Sequence, residues 1–361
     1  MLLRFVLPLP WSVTAKILVA IVLLVVSQFH LWSRLSSGSV FAPEMPRAIV
    51  IGFNVGFGAI VLLAVFQLTA DVLRLPALLI GQGGFAVPAG VRYGMGLVAL
   101  VLAGIGGAQA ARVPPVRDIA VTIHGLPAAF DGYTLVQLTD LHISRLFPAR
   151  WTQAVVDRTN ALHPDLIVVT GDFIDGSIAM RRDDVAPLRG LSAADGIYAI
   201  PGNHEYFFEY DAWMRHLAGL GMRMLPNAHA VLTRGDGRLV IAGVTDLSAR
   251  ATGHSAPDLA KALAGAPADA PIILLDHQPR MARAAAARGV ALQLSGHTHG
   301  GMIVGLDRIV ARANAGFVSG RYAVDGMTLY VNNGTGLWPG FALRLGVPSE
   351  LTRITLRAGP R

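Results

Sequence analysis

"LSGHTHGG", residues 294–301, sets two histidines one residue apart between glycines, at the end of an apolar run that begins at Ala291. Taken alone, the pair says little. What decides the fold is that the same join recurs along the chain. "YTLVQLTD" (133–140), "DLIVVTGD" (165–172), "GIYAIPGNH" (196–204), "PIILLDH" (271–277) and "ALQLSGHTH" (291–299) each read as a short buried strand running into polar residues. Residues 149–162, 209–220 and 279–288 have helical composition between them, and "AVLTRGDGRLVIAG" (230–243) reads as a hairpin across Gly-Asp-Gly. The alternation predicts layered α/β structure. Its polar residues lie beyond the carboxyl ends of the strands, where such sheets take ligands.

Composition divides the chain. Only 15% of its residues are charged and the mean hydropathy is +0.51, whereas a soluble domain carries about a quarter charged residues. The apolar excess sits in the first third. Residues 11–32, 48–70 and 93–111 each meet the length of a membrane helix, about 20 apolar residues. Residues 75–90, "LPALLIGQGGFAVPAG", are broken by Pro76, Pro88 and several glycines and read as a loop or shallow re-entrant piece. Two spans follow the first and no A-x-A site stands after it, which disfavours a cleavable signal peptide. The expected organisation is a transmembrane region over 1–112 and a catalytic domain over 113–361.

The net charge is +7, but Lys16 and Lys261 are the only lysines and the arginines are scattered. No basic run interleaves with aromatics, so nucleic acid is not expected as a partner. A membrane surface or a phosphorylated substrate suits the charge. The absence of cysteine removes disulfides, thiolate nucleophiles and cysteine-type zinc sites. Any metal must be held by His, Asp, Asn or Glu.

Each strand-end residue has an ordinary explanation by itself. Asp140 could cap a turn, "GDFID" (171–175) could be a Gly-Asp turn, Asn203 could cap a helix with Glu205 in its first turn, and His277 could be a core histidine. Together they form a set. Five of the eleven histidines, with two aspartates and an asparagine, fall just past apolar strands. Carboxylate, imidazole and amide oxygen suit hard or borderline divalent metals.

D-x-H at 140–142, G-D-x-x-D at 171–175, G-N-H-E at 202–205, the later His277 and G-H-x-H at 296–299, in that order, resemble the calcineurin-like metallophosphoesterases over about 130–301, with weaker similarity to roughly 355. With a membrane-spanning N-terminus, the chain further resembles the membrane-anchored bacterial branch, which includes hydrolases of UDP-2,3-diacylglucosamine in lipid A synthesis. The resemblance implies a four-layer α/β/β/α sandwich and two divalent ions, Mn first, with Fe or Zn accepting the same ligands. One ion would be held by Asp140, His142 and His299, the other by Asn203, His277 and His297, and Asp172 would bridge them. His204 would stay off the metals and assist the leaving group. The implied activity is hydrolysis of a phosphodiester or pyrophosphate, on a phosphorylated and lipid-linked substrate, by a multi-pass protein of the bacterial inner membrane. A nucleotide or small-molecule phosphodiesterase, or a non-catalytic membrane scaffold of the same fold, is the alternative.

Further residues are read as support. Asp175 orients a ligand histidine, Glu205 backs the site, and Arg344 in the Gly-rich stretch 332–350 contacts phosphate. Arg181 and Arg182 read as a solvated helix start. "EYFFEYDAW" (205–213) reads as helix packing, with an apolar lip at Phe207 and Phe208 as the sharper alternative.

Overall fold

The computed structural model describes residues 1–79 and 87–359. They form two compact units, one of Met1–Ala110 with Pro339–Leu345, the other of Ala111–Trp338 with Gly346–Arg361.

The first unit is helical: α1 is Val13–Ser27, α2 Phe29–Ser37, α3 Arg47–Leu79 and α4 Ala89–Ala110. Among the described residues α3 and α4 are long and apolar enough to cross a membrane, and α1 with α2, bent by 52°, makes a third if taken as one span. The expected first span is thus broken after Ser27, where the apolar run gives way to "FHLWSRLSS". α3 also continues through Leu75 and Pro76, where a loop was expected. A proline costs a helix one backbone bond, and the apolar residues before it carry the helix past that loss. Residues 80–86 of the expected loop lie outside the described residues.

Large apolar side chains such as Leu68, Val72 and Leu73 point outward from α3, as they do when hydrocarbon is the solvent. Asn54 is one of the polar residues buried in this unit. Its amide donates to the Val50 carbonyl at 2.9 Å and the Pro339 carbonyl at 2.8 Å, and its oxygen accepts from the Ala342 amide. One polar side chain thereby pins the irregular segment 339–345 against the helices. Gly106 in α4 makes room for it, since a Cβ there would come 2.7 Å from the Leu343 side chain.

The second unit holds two six-stranded sheets. The first, in the order β1-β12-β2-β3-β4-β5, comprises Val116–Ile123 (β1), Leu351–Ala358 (β12), Thr134–Leu138 (β2), Leu166–Thr170 (β3), Ile197–Ile200 (β4) and Arg223–Met224 (β5). The second, in the order β10-β11-β9-β8-β7-β6, comprises Gly320–Val324 (β10), Met327–Val331 (β11), Leu292–Ser295 (β9), Ile272–Leu275 (β8), Gly237–Gly243 (β7) and Ala228–Arg234 (β6). β2, β3 and β4 run parallel, as do β7, β8 and β9. β12 is parallel to β1 and antiparallel to β2.

Alternation assigns the faces. Leu239, Ile241, Ile273 and Leu275 pack in one core with Leu135, Leu166, Val168 and Ile200 of the other sheet, so the sheets meet face to face. Val240, Ala242 and Leu274, one register over, join Leu259, Ala262, Ala282 and Ala285 of short outer helices (α9, Leu259–Ala262; α10, Ala282–Ala286). Helices α5 (Ala149–Asn160) and α6 (Ile178–Val185) follow β2 and β3 and pack on each other, while α7 (Asn203–Phe207) and α8 (Tyr210–Gly219) follow β4. This is the expected sandwich.

Candidate metal centre

Loops after β2, β3, β4, β8 and β9 deliver every residue of the strand-end set to one end of the two sheets. These loops are strained. Asp140, His142, Asp172, His297 and His299 have φ of 51°, 46°, 55°, 68° and 50°, a left-handed region that side-chain-bearing residues avoid unless the surroundings impose it. The glycines beside them allow near contact: a Cβ on Gly202 would lie 2.2 Å from Asp172 Oδ1, and one on Gly296 2.3 Å from Asp140 Oδ2.

Three groups of facing donors result: Asp140, His142 and His299; His142, Asp172 and His204; Asp172, His277 and His297. Asp172 Oδ2 lies between the first and last, 3.7 Å from His142 Nε2 and 3.3 Å from His277 Nε2. Asn203 Oδ1 is 3.0 Å from His277 Nε2 and 2.9 Å from His297 Nδ1.

The outer nitrogens of two rings are tied down. His142 Nδ1 meets Asp175 Oδ2 at 3.1 Å and His277 Nδ1 meets the Thr170 carbonyl at 2.8 Å. Each Nδ1–H donates outward, which turns Nε2 inward as a lone pair. The Nε2 atoms of His142 and His299 then face each other at 3.3 Å, with Asp140 Oδ1 3.6 Å from His299 Nε2. Converging lone pairs and carboxylates are the surroundings a divalent cation requires, so the residues fit the two-metal group that the resemblance implies.

Electrostatics differ from ring to ring: against the effect of burial, Asp172 and Asp140 hold His277 well above its ordinary value. Burial and the neighbouring His277 push His297 down to about 3, leaving a neutral ring able to ligate. Burial would lower His204 as well, but Asp172 and Asp175 outweigh it and raise His204 to about 9. His204 Nδ1 is hydrogen-bonded to Asp175 Oδ1, and its Nε2 stands 4.0 Å from Asp172 Oδ2. Asp175 therefore touches both His142 and His204.

The remaining expectations divide. The Glu205 carboxylate accepts the backbone amides of Asp172, Phe173 and Gly202 at 3.0, 2.7 and 2.7 Å, so it clamps two site loops together. Burial and Asp172 raise it to about 7. Arg344 is buried on the segment grouped with the helical unit, its amide donating to the Gly106 carbonyl. Arg181 is no solvated helix start. It is fully buried, with Nε donating to the Asp175 carbonyl and Nη1 to Asp184, both at 3.0 Å. Its charge is compensated three residues on, and its stem occupies the space beside Gly176. Tyr206 and Trp213 are buried, whereas Phe207 is 43% exposed with its ring 5.2 Å from His204.

Sequence reasoning singled out 332–350 for Arg344 and missed what its first residues do. The Thr335 and Gly336 amides donate to the Thr139 and Asp140 carbonyls at 2.8 Å, closing the first loop. These are backbone contacts, for which the only signal was the Gly-rich composition. Beside His299, a cleft of about 380 Å³ is lined by Gly300, Val304, Asp307, Ser319, Asn333 and Val347.

The sandwich and its ring of carboxylates, imidazoles and an asparagine at the strand ends define a metal-dependent phosphoesterase class. Residues 133–301 match the family model described as calcineurin-like phosphoesterase. A metallophosphoesterase of Bacillus subtilis, YkuE, is 34% identical over 242 residues, covering 64% of this chain and 82% of that one. The chain belongs to the calcineurin-like metallophosphoesterase family. It is also similar to zebrafish and bovine proteins named transmembrane protein with metallophosphoesterase domain, each 35% identical, covering 72% and 73% of this chain and 61% and 62% of theirs. The chain thus spans about three-fifths of the length of these two relatives. Their names specify membrane character and the domain, and no substrate.

Proposed function

We propose that this chain is a membrane-anchored, two-metal phosphoesterase that hydrolyses a phosphodiester or pyrophosphate bond of a lipid-linked molecule. The observation that carries the reading is that Asp172 groups with His142 and His204 and again with His277 and His297, while Asp140 and His299 group with His142. Asp140, His142 and His299 would hold one ion, Asn203, His277 and His297 the other, with Asp172 shared. When bound, two such ions supply Lewis acidity to a phosphoryl oxygen and activate water at neutral pH.

The chain's own residues do the rest. Asn203 contributes an uncharged oxygen and keeps the centre cationic enough to attract phosphate. Asp175 fixes the His142 ring and holds a proton on His204. The imidazolium so stabilised donates its Nε2 proton to the departing oxygen. Glu205 keeps the loops carrying Asp172 and Gly202 in register. The lipid-linked substrate is supported by the apolar N-terminal helices, and the bacterial inner membrane with UDP-2,3-diacylglucosamine is one setting of that kind.

The test is turnover by the purified full chain with Mn²⁺, Fe²⁺ or Zn²⁺. The panel is bis-p-nitrophenyl phosphate, phospholipid diesters and nucleotide-linked lipids, including UDP-2,3-diacylglucosamine. Metal-dependent hydrolysis abolished by chelation and restored by re-addition is expected, with a lipid-linked member the best substrate. Two bound metals with no turnover of any phosphoester would make the protein a scaffold instead.

A further inference from the structure

After His299 and its two glycines the chain reads "MIVGL" and enters α11, Asp307–Ala313. No residue of α11 is buried. Val304 is 69% exposed, Ile309 64% and Leu306 37%. A helix this short gains little by itself in water, and this one hides no apolar face in the core. On its wheel Ile309 and Ala313 share one side, flanked by exposed Arg308 and Arg312. Exposed aliphatic residues bordered by arginine suit the boundary between acyl chains and anionic headgroups.

Two observations select lipid as the occupant. The same chain carries helices long and apolar enough to cross a membrane. Ile303 also bridges to Gly346, the residue directly after Pro339–Leu345, which groups with those helices.

We infer that Val304, Leu306 and Ile309, with Arg308 and Arg312, form a surface of the catalytic unit that rests in the headgroup layer of an anionic bilayer. The cleft is lined by Gly300, next to His299 in sequence, and by Val304 and Asp307, so a neighbour of the metal centre and part of this surface share it. A lipid held in the bilayer by its chains presents its phosphate through that cleft. This last step rests on the phosphoesterase reading, whereas the surface itself does not.

The sequence has no cysteine, which permits single-site labelling. The full chain, reconstituted in vesicles of phosphatidylcholine with phosphatidylglycerol, would carry an environment-sensitive fluorophore at Val304→Cys, Ile309→Cys or Asp236→Cys. Asp236 is an exposed control at the β6–β7 turn, at the opposite end of the strands from the site. Positions 304 and 309 should give blue-shifted emission quenched by lipids spin-labelled on their acyl chains, weakened by Arg308→Gln with Arg312→Gln, while position 236 stays water-like. Water-like emission at 304 and 309 would overturn the proposal. So would apolar emission that lipid spin labels do not quench, because protein would then cover the face. This readout is independent of turnover, so it stands or falls apart from the assigned activity. For delivery, Leu306→Ser with Ile309→Ser should slow a bilayer-held phosphodiester severalfold and spare bis-p-nitrophenyl phosphate; equal loss on both would overturn that role.

Discussion

The two units invert each other. In the helical unit, many large apolar side chains face outward, and Asn54, one of the buried polar residues there, is held on backbone groups. In the catalytic unit, apolar side chains fill the space between two sheets, and a ring of charged and imidazole groups is buried at the strand ends. Both bury polar groups, for different reasons. Asn54 completes the hydrogen bonding of an irregular segment among apolar helices. The strand-end residues face one another with donors of like kind, an arrangement that needs a cation.

The contrast is most easily broken at Asp172, which belongs to two of the donor groups. Asp172→Ala should lower turnover by about 10³-fold or more, the scale seen when a stabiliser of transition-state charge is removed, and metal analysis should show loss of bound metal. Retention of both metals would deny Asp172 its bridging place. His204→Ala should cost about a hundredfold or more, the range for a general acid, with metal content kept. Loss of metal in that variant would make His204 a ligand.

In the helical unit the same kind of substitution should act on packing. Asn54→Leu leaves the Pro339 carbonyl and the Ala342 amide without their partner, at about 1–3 kcal/mol for each unmet group. Limited proteolysis of the membrane-embedded protein should then cut within 339–345 faster than in the parent, and an unchanged pattern would refute the pinning role. The smallest effect is expected at Phe207, exposed beside His204. Phe207→Ser should reduce turnover of a lipid-linked substrate a few-fold and leave a small diester unaffected, in a paired kinetic assay.

Much of the catalytic unit was legible because its strands are short and continuously apolar, and each ends in residues that few other roles would place there. The spacing of Asp140, Asp172, Asn203, His277 and His297 reflects successive strand–loop units, so order alone grouped them. The tertiary part was not legible. Arg181 reads as a surface arginine until Asp184 and the Asp175 carbonyl are brought around it. The segment 339–345 adjoins the Gly-rich loop in sequence, yet it packs among helices more than 200 residues earlier, on contacts with Asn54 and Gly106. The place of β12 between β1 and β2 is likewise a long-range pairing with no local signature.

That last pairing governs when the first sheet can close. β1 and β2 are separated by ten residues in sequence, yet they cannot close directly on each other, because Leu351–Ala358 must enter between them. Glu350, immediately before that strand, accepts the Asn333 amide and the Tyr330 hydroxyl, and its own amide donates to the Gly334 carbonyl. The loop that seals Asp140 is thus secured by residues translated long after Asp140 itself. A nascent chain can form most of both sheets while this end of the sandwich stays open, so the centre closes only once β12 has emerged.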